Sequence, residues 1–317
     1  MRARMLIVLA IRVILIAAIA ALAFQTAGAQ SYDSKASAGA KPMAAGSANA
    51  AMGSGGTDVA KTLKTAAEAL GLARWSGVGG QRLPEVDVIN TMEIWGSGTM
   101  YSPGPSSKSG EPWTPHKTDY HVALGYNPPA MRVEMTRTVS GAAPQHMIEM
   151  VRDTYAWDES EIGAGLVPGK GTATPAMAVA KNRFLQLWIL PYGVIKAALA
   201  AGDKTKVSTE NGATVITFPL SGPLAGVMIK ATLDAQNQIA KVETRTDNPA
   251  LADLVTETEY SGYADHGEIA TDVKSPGHIV RKQGGHPVLD IQVKMWDANN
   301  PYLVFPVPEN VKKAATN

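Results

Sequence analysis

Cysteine does not occur anywhere in the 317 residues. That excludes disulfides, a thiolate zinc site, a cysteine nucleophile and a lipid-modified cysteine anchor. Phenylalanine is scarce: four residues stand against nine Tyr and six Trp, so most aromatic surface carries a polar atom. Neither sign of charge dominates. The formal net charge is +1, and Arg2, Arg4 and Arg12 supply three of the positive charges. Without the first 29 residues, 26 basic residues face 28 acidic ones. No basic field remains to attract nucleic acid or an anionic membrane.

The N-terminus has what the rest lacks, a long apolar run. Val13 to Phe24 is uninterrupted, Arg2 and Arg4 precede it, and Ala27-Gly28-Ala29 supplies small residues. This is the layout of a secretory signal, with cleavage expected after Ala29. The competing reading is an uncleaved anchor from Met5 to Phe24. Arg12 opposes it, because a charge in mid-membrane costs about 2.5–3.5 kcal/mol on insertion scales. Cleavage would leave no stable membrane span. Residues 30–56 read as a disordered leader: 18 of the 26 residues from Ser31 to Gly56 are Ala, Gly or Ser. Such a segment buries too little apolar surface to offset its ordering entropy.

A single domain is expected over residues 57–308, followed by a flexible tail at 309–317. Thr57 is a plausible N-cap, and Val59, Leu63, Ala66 and Leu70 recur at helical spacing before Gly71. Then the period falls to two. Val86, Val88, Met92 and Ile94 share one face. Tyr120, Val122, Leu124 and Tyr126 alternate with His121, Ala123 and Gly125. Asn127-Pro128-Pro129 turns the chain into Met131, Val133 and Met135. Another strand is expected from His146 to Trp157.

Thr174-Pro175 reads as an N-cap and first-turn pair for a helix over Ala176 to Leu190, ended by Pro191, with a second helix to Ala201. Strands are expected at Thr214–Phe218, Val227–Leu233, Ile239–Thr246, Val255–Tyr260, Glu268–Val273, Ile279–Lys282 and Val288–Trp296. Strands following strands, with helices segregated in two places, argue for α+β with an antiparallel sheet.

Few residues suggest chemistry. His266, His278 and His286, with Asp265 and Asp290, could gather into a metal site, but scattered histidines at strand ends are more often hydrogen-bonded or on the surface. Glu257 and Glu259 share a strand face, yet Thr256, Thr258 and Tyr260 form the other, so the glutamates are expected to face water. Asp158-Glu159-Ser160-Glu161 lacks the spacing of a calcium loop and reads as solvated. No catalytic residue, metal or cofactor is assigned. Trp95, Tyr120, Tyr126, Trp157, Phe184 and Trp188 are the candidate ligand-binding residues. They could line a groove for an acyl chain or pack as core between sheet and helices.

Several pieces carry a resemblance over about Thr57 to Pro308. They are Tyr155-Ala156-Trp157, the helical Phe184 to Trp188 with Pro191-Tyr192-Gly193, Asp247-Asn248-Pro249, Gln283-Gly284-Gly285-His286-Pro287-Val288-Leu289-Asp290, and Phe305-Pro306-Val307-Pro308. Together they resemble the N-terminal accessory domain of exported bacterial metallo-β-lactamase-fold hydrolases. The general pattern also resembles the periplasmic lipoprotein-carrier fold. The resemblance implies a strongly curved antiparallel sheet, an unclosed barrel, with helices packed on its concave side, and a periplasmic location. The superfamily's His-x-His-x-Asp-His zinc cluster has no match among the six histidines. The expected function is therefore non-enzymatic binding of a lipid-like hydrophobic ligand or a protein partner. The alternatives are an accessory subunit of a separately encoded metallo-hydrolase, and a hydrolase with an unrecognised site.

Overall fold

A computed structural model describes residues 57–75, 82–84, 89–102, 113–139, 141–248, 252–265 and 273–316. The signal segment with its cleavage after Ala29, the leader at 30–56, Val86, Val88, His266 and most of the strand expected at Glu268–Val273 lie outside the described residues.

Thirteen strands form one antiparallel sheet that does not close on itself. Two meanders make it up. The first is β3 (Thr91–Ser102), β4 (Thr114–Tyr126), β5 (Pro129–Thr138), β6 (Gln145–Arg152), β7 (Tyr155–Glu159) and β8 (Ala173–Pro175). The second is β9 (Lys206–Glu210), β10 (Ala213–Pro219), β11 (Met228–Leu233), β12 (Ile239–Asn248), β13 (Ala252–Ser261), β16 (His278–Gln283) and β17 (His286–Ala298). Two short hairpins, β1 (Ala73–Trp75) with β2 (Arg82–Pro84) and β14 (Ala264–Asp265) with β15 (Lys274–Ser275), stand apart. Pairing of β3 with β17 joins the meanders, so β8 and β9 are the two edges.

Glycine permits that junction. A Cβ on Gly98 would lie 1.9 Å from the Asp290 carbonyl oxygen, and one on Gly96 would lie 2.6 Å from that of Gln292. Only residues without a side chain let β17 approach β3 this closely. The Gln283 to Asp290 run is the β16–β17 hairpin. Gly284 and Gly285 both have positive φ (54° and 82°), the backbone of a tight two-residue turn.

Helices α1 (Thr57–Ala69), α2 (Ala180–Ile189) and α3 (Pro191–Ala201) pack on one face of the sheet. Leu63, Phe184, Trp188 and Ile195 meet Ile94, Val122, Ile216 and Val242 there in one buried cluster. Pro191 supplies no N–H to continue α2, and the chain turns sharply into α3.

Three expectations change. The strand expected from His146 to Trp157 is two strands, because Asp153, at a φ of 52°, turns the chain between Arg152 and Tyr155. Thr174 and Pro175 are not a helix start. They pair with Asp158 and Trp157 in β8, and a 3-10 turn at Met177–Val179 precedes α2. The tail expected to be flexible at 309–317 contains a short helix, α4 (Glu309–Ala314), because Val311 is fully buried and draws the segment onto the sheet.

Candidate functional site

The sheet presents its second face differently in its two meanders. Over β3–β7, a strap formed by residues 299–308 and α4 crosses it. The Asn299 N–H donates to the Thr91 carbonyl, Arg152 Nη1 donates to the Phe305 carbonyl at 3.0 Å, and Asn310 Nδ2 donates to the Ala173 carbonyl at 2.7 Å. Under the strap, Phe305 and Val311 pack on Ala123, Ala130, Ile148, Met150 and Trp157, making a second buried cluster. Over β9, β11–β13 and β16 the same face carries alternating charge. Glu257, Lys241, Glu243, Lys230 and Glu210 form a chain of ion pairs at 3.7, 3.4, 3.8 and 2.7 Å. Glu259 pairs with Lys282 at 2.7 Å. The two glutamates singled out in the sequence are thus members of a solvated ion-pair ladder.

The six aromatic candidates do not converge. Tyr120, Tyr126, Phe184 and Trp188 lie in the main core, and Trp157 lies in the second cluster on the opposite face. Trp95 also points to that second face, where it stacks on His121 with ring centroids 4.7 Å apart.

Within the core the tyrosines have a structural task. The last carbonyls of a helix lack partners within it. Tyr126 donates its hydroxyl to the Leu187 carbonyl at 3.4 Å, and Tyr260 donates to the Ile189 carbonyl at 2.8 Å. Two strands far apart in the sheet thereby hold the end of α2 where Pro191 breaks it. Burial pushes both hydroxyls well above the usual tyrosine pKa, which keeps them protonated donors. Tyr126 also makes a tilted contact with Trp188, and Phe184 meets Trp188 edge-on.

Trp188 also lines a cavity. About 250 Å³ opens between α3 and the turn after β10, lined by Trp188, Ala197, Ala201, Leu220 and Leu224, with Lys204 and Ser221 among its polar walls. Ligand pockets run from about 300 to 1,000 Å³, so this one falls below that range, and polar and apolar groups line it about equally.

A polar cluster lies on the strap side. His121 Nε2 is 3.2 Å from Glu93 Oε1, and His121 Nδ1 is 3.1 Å from Glu134 Oε1. Carboxylates only accept, so both contacts are hydrogen bonds when both ring nitrogens carry protons. Arg132 Nε donates to Glu134 at 2.8 Å, and Asn300 Nδ2 of the strap donates to Glu93 at 2.8 Å. The His121 hydrogen bond, more than the nearby Arg132 charge, holds the Glu134 carboxyl below the usual glutamate range. The cluster fastens β3, β4, β5 and the strap to one another. Its signal was in the sequence: Glu93, His121 and Glu134 each take the face opposite the core residues Ile94, Val122 and Val133 of their three alternating strands.

The remaining candidates disperse. His278 bonds Asp290 at 2.8 Å, whereas His286 stacks on Trp113 at 5.4 Å. Among the described residues, no three His, Asp or Glu side chains are arranged to hold a metal ion. Of the acidic run, Asp158, Ser160 and Glu161 are exposed as expected, but Asp158 and Glu159 belong to β7 and Glu159 is not solvated. Asp158 pairs with buried Arg183 at 2.6 Å, and Glu159 is buried, accepting from Trp157 Nε1 at 2.9 Å and the Gly163 N–H at 2.8 Å. Among the described residues, no single helix is long and apolar enough to cross a membrane. No family model matches this chain, and neither does any curated protein.

Proposed function

We propose that the chain is a non-enzymatic binding domain of the periplasm that takes up a short apolar ligand, or the apolar end of a longer one. In this reading the sheet is strongly curved and α1–α3 cover its concave side. The observation that carries it is the cavity of about 250 Å³ beside Trp188. Its walls combine a Trp ring, two Leu and several Ala side chains, which offer dispersion contacts, with polar groups that include Lys204 and Ser221. Lys204 gives the ligand's polar end a cationic partner. The packed core narrows what can enter: with Phe184, Trp188 and Leu63 all buried, a long acyl chain finds no open groove through the centre.

The test is fluorescence titration of the exported protein with octanoate and decanoate, with Trp188→Phe as the background control and Leu224→Trp to fill the cavity. Saturable quenching that is lost in both variants supports the reading. Unchanged fluorescence, together with native mass spectra showing no bound small molecule, would overturn it.

A second reading is supported by a different surface. Tyr302 and Val304 on the strap are 87% and 72% exposed. They give an accessory subunit of a separately encoded metallo-hydrolase an apolar point of attachment. Periplasmic pull-down with Tyr302→Ser/Val304→Ser as the control separates it from the first.

A further inference from the structure

The two edges of the sheet are built differently. At β8 the strand is three residues long, Pro175 offers no N–H, Asn310 occupies the Ala173 carbonyl, and α4 packs alongside. Each of these blunts an edge. At β9, α1 packs on the core face, but among the described residues no backbone hydrogen bond from another segment reaches residues 206–210 except those from β10.

The turn into β10 fixes which groups of β9 point outward. Asn211 and Gly212, at φ of 50° and 82°, form a two-residue hairpin turn, with Glu210 opposite Ala213. In such a hairpin the residues flanking the turn exchange both hydrogen bonds, and the pattern alternates from there. Lys206, Ser208 and Glu210 therefore bond inward to β10. Val207 and Thr209 turn their N–H and C=O outward.

We propose that β9 is a homodimer interface, at which two copies of the chain pair antiparallel about a twofold axis at Ser208. In that register Val207 exchanges hydrogen bonds with Thr209 of the second copy, and each Lys206 stands opposite the second copy's Glu210. Lys206-Val207-Ser208-Thr209-Glu210 is thus self-complementary in charge as well as in backbone pairing, as an isologous contact requires. Charge on an edge strand ordinarily discourages pairing, but here the two signs sit at symmetric positions and attract. The ion-pair ladder gives the second argument. It runs from Glu257 through Lys241, Glu243 and Lys230 and ends at Glu210, on the edge. Lys206 of a second copy is the next alternating charge, so the ladder would continue across the axis without a break in sign. Five paired residues bury less than the roughly 1,200 Å² of a standard interface. The dimer is accordingly dependent on concentration.

Sedimentation equilibrium of the full exported chain over a wide concentration range tests this, using K206E, E210K and the double charge swap K206E/E210K. The single substitutions place like charges opposite each other and are expected to weaken association at least tenfold. The double swap is expected to restore it. Because the chain has no cysteine, Ser208→Cys supplies a second readout. Directly opposed residues in this register have Cα atoms about 4.5 Å apart, within disulfide range. S208C is therefore expected to cross-link under mild oxidation far faster than a control Gln292→Cys on central β17. A monomer at all concentrations with no preferential cross-linking of S208C would overturn the proposal. So would a dimer indifferent to the charge swaps, or an edge that takes up an unrelated extended peptide while the chain stays monomeric.

Discussion

Two regions of one sheet face solve the same problem in opposite ways. Over β3–β7 the outward side chains include Ala123, Ala130, Ile148, Met150 and Trp157, and the chain returns to cover them with Phe305 and Val311. Over β11–β13 and β16 the outward positions include Lys230, Lys241, Glu243, Glu257, Glu259 and Lys282, which pair with one another or with Glu210 on β9 and stay open to solvent. The first region gains from removing apolar area from water and depends on a segment distant in sequence. The second needs no cover and gains little, because exposed ion pairs contribute about 0–1 kcal/mol each. The strap is therefore a structural member, whereas the ladder mainly sets charge pattern and solubility.

Substitutions can break this contrast in order of size. Trp157→Ala should destabilise most, by about 3–5 kcal/mol, as for other large buried aromatics. It opens a cavity under the strap and removes the donor to buried Glu159. Urea denaturation measures the loss, and a change below about 1 kcal/mol would show that the strap side is not a core.

Glu134→Gln should cost about 1 kcal/mol at neutral pH, and the cost should depend on pH. The Glu134 carboxyl has a folded-state pKa below its unfolded value, chiefly through its hydrogen bond with His121. Its contribution is complete above the ordinary glutamate range and is lost as pH falls through the depressed value. Stability curves for the wild type and the variant should therefore converge in acid. Parallel curves would remove the cluster's role as a fastening.

Lys241→Ala, in the middle of the ladder, should change stability by less than about 0.5 kcal/mol, and less still in 1 M salt. A loss comparable to that of Trp157→Ala would erase the distinction between the two regions.

The sequence made some of this legible and hid the rest for physical reasons. The β4–β5 hairpin was plain, because Tyr120 to Tyr126 and Met131 to Met135 alternate around a proline turn. The break at Pro191 was equally plain. Strand β9 was not foreseen: Lys206, Ser208, Thr209 and Glu210 are polar on both faces, and only Val207 touches the core. The turn at Asp153-Thr154 carries neither Gly nor Pro, so β6 and β7 read as one strand. Trp95 and Tyr120 read as one set of aromatics, yet parity with Ile94 sets Trp95 on the opposite face. Trp157 could not be assigned by parity, because its strand is buried on both sides by segments that meet only in the folded chain.

The β3–β17 junction has a consequence for how the molecule is made. Every other neighbour in the large sheet is the next strand in the chain, save where β14 and β15 intervene between β13 and β16. Each meander can thus zip from hairpin to hairpin with short loop closures. Met100 and Leu289, paired across the junction, are separated by most of the chain. Closing this junction carries the largest closure entropy of any strand pair in the large sheet. Until that seam closes, the facing edges of β3 and β17 have no partner, and unpaired strand edges are templates for aggregation.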